Sequence, residues 1–415
     1  LYLLYNILIK TVKAALPVSK IFSPKMKQFV DGRKETFSIL KSKLRIGDKV
    51  IWFHMASLGE FEQGLPIIEV VKNLYPSYKI VVSFFSPSGY ENKKNTPVAD
   101  AVVYLPLDTP KNAKSFIDLL SPELTFFIKY EFWPNYLKEL NSRNCKTILI
   151  SGSFRKDQLF FKPYGKWMIN YLKTFDHFFV QNKESEDLLN TIGFKNVTVN
   201  GDTRFDRVAK QLEQDNNLDF IQEFKDGKLC VVAGSTWPED EDLLEVFINS
   251  APEGIKFIIA PHEIKREQIQ QLRKKIKKPV VLFSEKDHQN LAEFQVFIVD
   301  TIGLLGRIYF YADIAYVGGA AGKTGLHNIL EPATFSIPVV IGNNFENFPE
   351  AKQLHRLAGL FSVGSKEELI GLFSKFIEDE NFRKKTGIIA GHFIKSSTGA
   401  TGLVESYLKN KVKMS

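Results

Sequence analysis

The chain has 415 residues, too many for one ordinary core and enough for two domains of roughly 200 residues each. Hydrophobic content of 44% against 25% charged residues excludes wholesale disorder, and two cysteines, Cys145 and Cys230, each inside an apolar run, exclude a disulfide framework. The net charge of +8 is local: residues 1–50 hold eleven Lys/Arg against Asp31, Glu35 and Asp48, so the rest is neutral in sum and no basic face for nucleic acid is expected.

The first element, Leu1-Tyr2-Leu3-Leu4-Tyr5-Asn6-Ile7-Leu8-Ile9, is apolar and aromatic but broken by Lys10 and Lys13. That is too short and too charged for a spanning helix of about 20 apolar residues, and no small-residue cleavage site follows it. Residues 1–34 therefore read as a segment lying on an anionic membrane surface, or else as a helix packed on the protein's own surface. From residue 49 onward, apolar strands alternate with amphipathic helices. Val50–Met55, Ile80–Phe85, Val102–Leu105, Leu124–Ile128, Thr147–Ile150 and His177–Val180 are separated by stretches such as Phe61–Leu74 and Asn112–Leu120. Such alternation predicts a parallel sheet covered on both faces. A polar stretch at 208–227 reads as a linker, after which Leu229–Ala233, Phe257–Ala260, Val280–Phe283, Phe297–Val299, Ile314–Val317 and Val339–Ile341 repeat the pattern. The expectation is an α/β chain of two Rossmann-like domains, 35–207 and 228–397, facing across a cleft. A helical tail, 398–415, is expected to pack back across them.

Chemistry is expected beyond the carboxyl ends of such strands. In Ser57-Leu58-Gly59-Glu60 a strand ends in small residues, Gly59 leaves room for a ligand, and Glu60 opens a helix whose dipole favours an ionised, general-base carboxylate. The same spacing is a capping box between Ser57 and Glu60. Glu131, in Tyr130-Glu131-Phe132-Trp133-Pro134-Asn135, sits at a matching junction, where aromatic neighbours suit stacking on sugar faces; it also reads as an ordinary first-turn acid. Farther on, Gly234-Ser235-Thr236 ends a strand in small hydroxyl residues. The loop Gly318-Gly319-Ala320-Ala321-Gly322-Lys323 follows another, with glycine amides and the Lys323 charge suited to phosphate. That loop matches neither the P-loop nor the strict dinucleotide fingerprint. Glu331, in Asn328-Ile329-Leu330-Glu331, is placed to hold a ribose diol or to serve as a solvated helix acid. The seven histidines are too scattered for a metal cluster, with only His262 and His327 on these loops.

Taken in order, these runs, with Gly201-Asp202-Thr203-Arg204-Phe205-Asp206 and Asp300-Thr301-Ile302-Gly303-Leu304-Leu305, resemble the Kdo (3-deoxy-D-manno-oct-2-ulosonic acid) transferases over nearly the whole chain. These are two-domain glycosyltransferases of the GT-B type. The resemblance implies transfer of Kdo from CMP-Kdo to a lipid A precursor (lipid IVA) in lipopolysaccharide synthesis, with inversion, no cofactor and no obligatory metal. It implies Glu60 as base and Glu131 as second acceptor-side acid, with Ser57 and Gly59 beside the acceptor. It also implies Ser235 and Thr236 near the donor phosphate, Gly318 and Gly319 beneath it, and Asn328 and Glu331 toward the nucleotide. A place on the cytoplasmic face of the inner membrane, peripheral or N-terminally anchored, follows. Two departures stand out. Pro261-His262-Glu263 replaces the family's Pro-Arg-His, leaving Lys265 or Arg266 to supply the arginine's charge, and Lys323-Thr324-Gly325 replaces Arg-Gly-Gly. The alternatives are a UDP-sugar transferase, a nucleotide-sugar 2-epimerase and a non-catalytic sugar-binding protein.

Overall fold

Short runs of Val, Ile and Phe buried on both faces pair in parallel, with helices returning between them. The computed structural model, which describes residues 1–412 and 414, contains two such sheets. One compact unit comprises Leu1–Arg207 and Thr398–Ser415, the other Val208–Ser397.

In the first unit the strands are β1 (Val50–Met55), β2 (Lys79–Phe84), β3 (Ala101–Tyr104), β4 (Leu124–Ile128), β5 (Lys146–Gly152), β6 (His177–Val180) and β7 (Val197–Val199). All are parallel, in the order β3-β2-β1-β4-β5-β6-β7. Successive residues face opposite sides of the sheet. Trp52 and Phe127 therefore join one apolar layer, while Phe53 and Phe126 join the other and stack at 4.6 Å. Each such burial is worth about 1.5–3 kcal/mol. The chain runs outward from β1 to β3, then returns to set β4 on the other side of β1. That reversal leaves a crevice beyond the carboxyl ends of β1 and β4, where ligands bind in open α/β sheets.

The second unit repeats the plan with β8 (Leu229–Thr236), β9 (Ile255–Pro261), β10 (Val280–Leu282), β11 (Val296–Ile298), β12 (Ile314–Val317), β13 (Val339–Gly342) and β14 (Leu360–Val363). The order is β10-β11-β9-β8-β12-β13-β14, all parallel, so the reversal falls between β8 and β12.

Every expected strand is present within a few residues of its place, and two more appear, β7 and β14, each at a sheet edge. An edge strand is covered by one neighbour only and tolerates polar residues such as Thr198 and Ser362, which blur the apolar run. The stretch 208–227, expected as a linker, lies within the second unit. There Leu218, Ile221 and Phe224 are buried, the last two on the helix Asp219–Lys225. Three apolar residues among many polar ones suffice because that helix has only one face to bury. The tail forms the helix Ala400–Lys411, whose Val404 and Leu408 are buried in the first unit's core. Asp206 caps it, accepting hydrogen bonds from Gly399 N (2.6 Å), Thr401 N (2.7 Å) and Thr401 Oγ1 (2.8 Å).

Candidate active site

At the end of β1 the chain turns at Ala56 and Ser57 into the helix Leu58–Leu74. Only half of the expected capping box forms. Glu60 reaches back to the amides of Ala56 and Ser57, but the Ser57 side chain caps nothing. Gly59 is exposed, and a Cβ there would meet no atom closer than 4.0 Å, so the space beside Glu60 is open. Glu60 itself is 4% exposed and Glu131 7%. Burial, and next the negative charge of Glu131, push the Glu60 carboxyl up to about 8; the Ala56 amide, Lys129 and the Ser57 amide oppose this. The helix terminus was expected to keep Glu60 ionised, and it does not prevail. It is worth about 0.3–1 kcal/mol to an anion, less than the roughly 1.4 kcal/mol that a single pH step represents. Glu60 thus holds a proton at neutral pH and becomes a strong base as it ionises.

Glu131 reaches the same place from β4. Lys129, with φ of +71°, turns the chain through the left-handed region, which an L-residue adopts at a cost of about 1–2 kcal/mol. Pro134 then starts the helix Pro134–Ser142, whose Asn135 and Tyr136 amides donate to Asp108 at 3.1 Å each. Glu131 Oε2 accepts from Trp133 Nε1 at 2.9 Å and lies 3.3 Å from His54 Nε2. The aromatic neighbours do not all face a sugar. Phe132 packs on Phe154, Phe160 and Phe175, and Trp133 stacks on Phe85 at 4.9 Å. Tyr130 alone of the three is exposed, flanked by Lys129 and Arg155.

His54 was not among the expected site residues. It lies in register with Ser83 of β2 and Phe127 of β4, wholly buried, with Nδ1 2.9 Å from Ser83 Oγ. A polar residue near the carboxyl end of an otherwise apolar strand was the signal available.

In the second unit the loops after β8, β9 and β12 bring most of the donor candidates together, with altered roles. Ser235 adopts φ of +54° at the end of β8. Thr236 is buried and donates its hydroxyl to Glu241 Oε1 at 3.0 Å, which takes it away from a phosphate. Gly318 and Gly319 do not offer free amides either. Gly318 N donates to Gly234 O at 2.9 Å, and Gly319 N donates to Asp240 Oδ2 at 2.8 Å. A Cβ on Gly318 would fall 2.4 Å from Ser235 O, so this glycine serves close packing of β12 against β8. Asp240, wholly buried, also accepts from Trp237 N and Tyr316 Oη and holds the loops together.

The rings of Trp237, His262 and His327 gather at the same end. The two histidines lie 4.2 Å apart, and Trp237 Nε1 donates to His327 Nε2 at 3.0 Å. Burial, then the neighbouring His262, push His327 down to about 4; burial also lowers His262. Both are therefore neutral at pH 7. Asn328 Oδ1 accepts from Leu330 N at 3.1 Å at the start of the short helix Leu330–Thr334, and its Nδ2 donates to Glu331 Oε1 at 3.2 Å, so this pair is brought together. Lys323 is exposed on its loop. Arg266 stands apart, starting the helix Arg266–Lys275 and lining a cavity of about 390 Å³ with Arg273, Ser284 and Asp300. Among the described residues no three His, Cys, Asp or Glu side chains could hold a metal ion.

Two parallel-sheet units, each with its candidate groups at the strand-order reversal, make up a GT-B-like fold. Solved structures agree on the fold: a UDP-GlcNAc 2-epimerase from Neisseria meningitidis, solved bound to UDP-GlcNAc, superposes with a TM-score of 0.59 at 15% identity, over 87% of this chain and all of that one. Residues 31–207 match the family described as 3-Deoxy-D-manno-octulosonic-acid transferase (kdotransferase). Over those residues the chain is similar to the Kdo transferases, a family of glycosyltransferases. It is 29% identical over 335 residues to the 3-deoxy-D-manno-octulosonic acid transferase of Aquifex aeolicus, covering 80% of this chain and 86% of that protein. To a bifunctional glycosyltransferase/methyltransferase of Fusobacterium nucleatum it is 28% identical over 430 residues. That match takes in 99% of this chain but only 64% of the relative's length.

Proposed function

We propose that this protein transfers Kdo from CMP-Kdo to a lipid A precursor, with Glu60 as the general base. The second unit holds the donor: Asn328 and Glu331 take the nucleotide, and Trp237, His262 and His327 lie toward the phosphate. In the first unit Glu60 accepts the proton of the acceptor hydroxyl. The freed oxygen then bonds to the anomeric carbon as the bond to the CMP phosphate breaks, its electron pair leaving on CMP, with inversion. The observation that carries this reading is Glu60 itself, a buried carboxyl at the end of β1 whose proton affinity is raised to about 8 by burial and by Glu131. A base of that strength contributes about 10²–10⁴-fold.

The N-terminal helix Tyr2–Ala15 supports a lipid-borne acceptor. Its Tyr2 hydroxyl donates to Asn135 Oδ1 at 2.6 Å, Tyr5 donates to Asp108 Oδ2 at 2.7 Å, and Asn6 Oδ1 accepts from Asn135 Nδ2 at 2.9 Å. Two of these contacts are made at Asn135, four residues beyond Glu131 in the chain. Leu3, Leu4, Ile7 and Leu8 are more than half exposed on the rest of the helix, as is Leu1 just before it, beside Lys10 and Lys13. Packing on the protein and docking on a membrane therefore use different faces of one helix. No helix among the described residues is long and apolar enough to cross a membrane; the attachment proposed is at the cytoplasmic face of the inner membrane, peripheral or anchored through the N-terminal segment.

Two measurements test the assignment. Glu60→Gln is expected to lose transfer by at least about 10²-fold while binding CMP as the parent does; full activity refutes the base. Calorimetric titration is expected to show binding of CMP and none of UDP, and the reverse result favours a UDP-sugar enzyme.

A further inference from the structure

Two neighbouring strand ends in the first unit pass through the left-handed region of backbone space, and neither does so at a glycine. Lys129, just past β4, has φ of +71°, and Ser151, near the end of β5, has φ of +52°. They lie side by side, since Ile128 pairs with Ile150 and Lys129 N donates to Ile150 O at 2.8 Å. Such backbone is costly for an L-residue and gathers where side chains are aimed at a ligand. Beyond the two turns, Phe132 packs on Phe154 with 5.5 Å between ring centres, which holds the two loops together. Tyr130 and Arg155 then meet at the surface. The exposed Tyr130 ring has Lys129 Nζ 5.1 Å and Arg155 Cζ 5.8 Å from its centre.

The protein itself gives these cations little to hold. Lys129 is half-buried and makes no ion pair among the described residues, although its charge acts on Glu60. Arg155 meets one carboxylate, Asp157, at 3.5 Å, and both side chains are more than half in water, where an ion pair contributes little. Its backbone is fixed by Gln158, whose Oε1 accepts from Arg155 N at 3.0 Å and whose N donates to Arg155 O at 3.1 Å. The guanidinium is therefore the open end of a held loop. An ammonium supplies a point charge and a guanidinium a fork for two oxygens, a combination suited to a phosphate group. We propose that Lys129 and Arg155, gathered around Tyr130, bind a phosphate group carried by the acceptor and so seat its hydroxyl against Glu60. The inference rests on the reading of Glu60 as base and names a second group that the acceptor bears. In that reading the donor's phosphate is held by the second unit, so an anion met in the first unit beside the base belongs to the acceptor.

The test uses the full chain, CMP-Kdo and a lipid A precursor in two forms, phosphorylated and dephosphorylated, with kcat and KM read for each. The parent is expected to prefer the phosphorylated acceptor by about tenfold or more, expressed in KM, as hydrogen bonds between charged groups imply. Lys129→Gln and Arg155→Gln are each expected to reduce that preference and the double variant to bring it near one, whereas Lys129→Arg keeps it. Arg155 is exposed, so its variant keeps the test available if Lys129→Gln does not fold. Equal loss of rate on both acceptors, with the preference intact, means that Lys129 only steadies the Glu60 carboxyl and overturns the proposal. A rise in KM for CMP-Kdo with the acceptor preference intact assigns the cations to the acid group of Kdo and overturns it too. Calorimetry with a glucosamine disaccharide, with and without phosphate, separates this inference from the one beneath it. If the parent transfers no Kdo, the functional reading fails. Tighter binding of the phosphorylated disaccharide, lost in the double variant, then still supports the phosphate site, and equal binding of both sugars overturns it.

Discussion

Replacing Glu60 by Gln is expected to stabilise the first unit at neutral pH while it removes activity. In the folded chain the Glu60 carboxyl titrates near 8 rather than at the ordinary 4.5. Between those values the folded state keeps a proton that the unfolded chain has released. Folding then takes up a proton, so stability falls as pH rises from 4.5 and levels off above 8. Each pH step costs about 1.4 kcal/mol, so the parent has lost roughly 3 kcal/mol by pH 7. Gln has no proton to take up, and its carbonyl oxygen still accepts the Ala56 amide. The stability difference between variant and parent should therefore open from near zero at pH 4.5 to roughly 3 kcal/mol at pH 7, or about 6–12 °C in Tm for a unit of this size. Thermal and urea unfolding of both full-length proteins across that range would measure it. A difference that does not grow with pH, or a variant less stable at pH 7, would refute the claim that burial and Glu131 raise Glu60.

Other parts of the structure yield sharper local predictions. Asp206→Ala removes all three hydrogen bonds that cap the helix Ala400–Lys411; the expected cost is about 1–3 kcal/mol, seen as faster amide exchange over that helix. Unchanged exchange would show that Val404 and Leu408 hold it without the cap. Replacing Leu3, Leu4 and Leu8 together by Ser should abolish sedimentation with anionic vesicles yet leave Tm unchanged, because these side chains are 60–72% exposed. Binding by the parent should weaken with salt, as attraction through Lys10 and Lys13 requires. A fall in Tm with vesicle binding intact would mean that the residues pack on the protein rather than on lipid.

The sheets were legible because parallel strands buried on both faces leave continuous apolar runs, as in Val50–Met55. Glu60 and Glu131 were legible because each follows such a run and precedes a helix. What the sequence could not display was burial. Local spacing suggested an ionised Glu60 at a helix start, whereas its enclosed position beside Glu131 reverses the direction. Partnerships set by register were equally hidden. His54 meets Ser83 because β1 and β2 pair in that frame, although 29 residues separate them. Asp240 gathers the amides of Trp237 and Gly319 and the hydroxyl of Tyr316, which turns a loop suited to phosphate into a packing device. The Trp237–His262–His327 group is assembled from three separate loops, and no spacing along the chain announces it.

The central claim, that Glu60 drives transfer of Kdo to a lipid acceptor, is tested most directly by mass spectrometry. Parent and Glu60→Gln proteins would be incubated with CMP-Kdo and a tetra-acylated lipid A precursor. The expected result is an acceptor heavier by one or more Kdo residues with the parent, and unmodified acceptor with the variant over the same time. Equal product from both, or none from the parent, would contradict it.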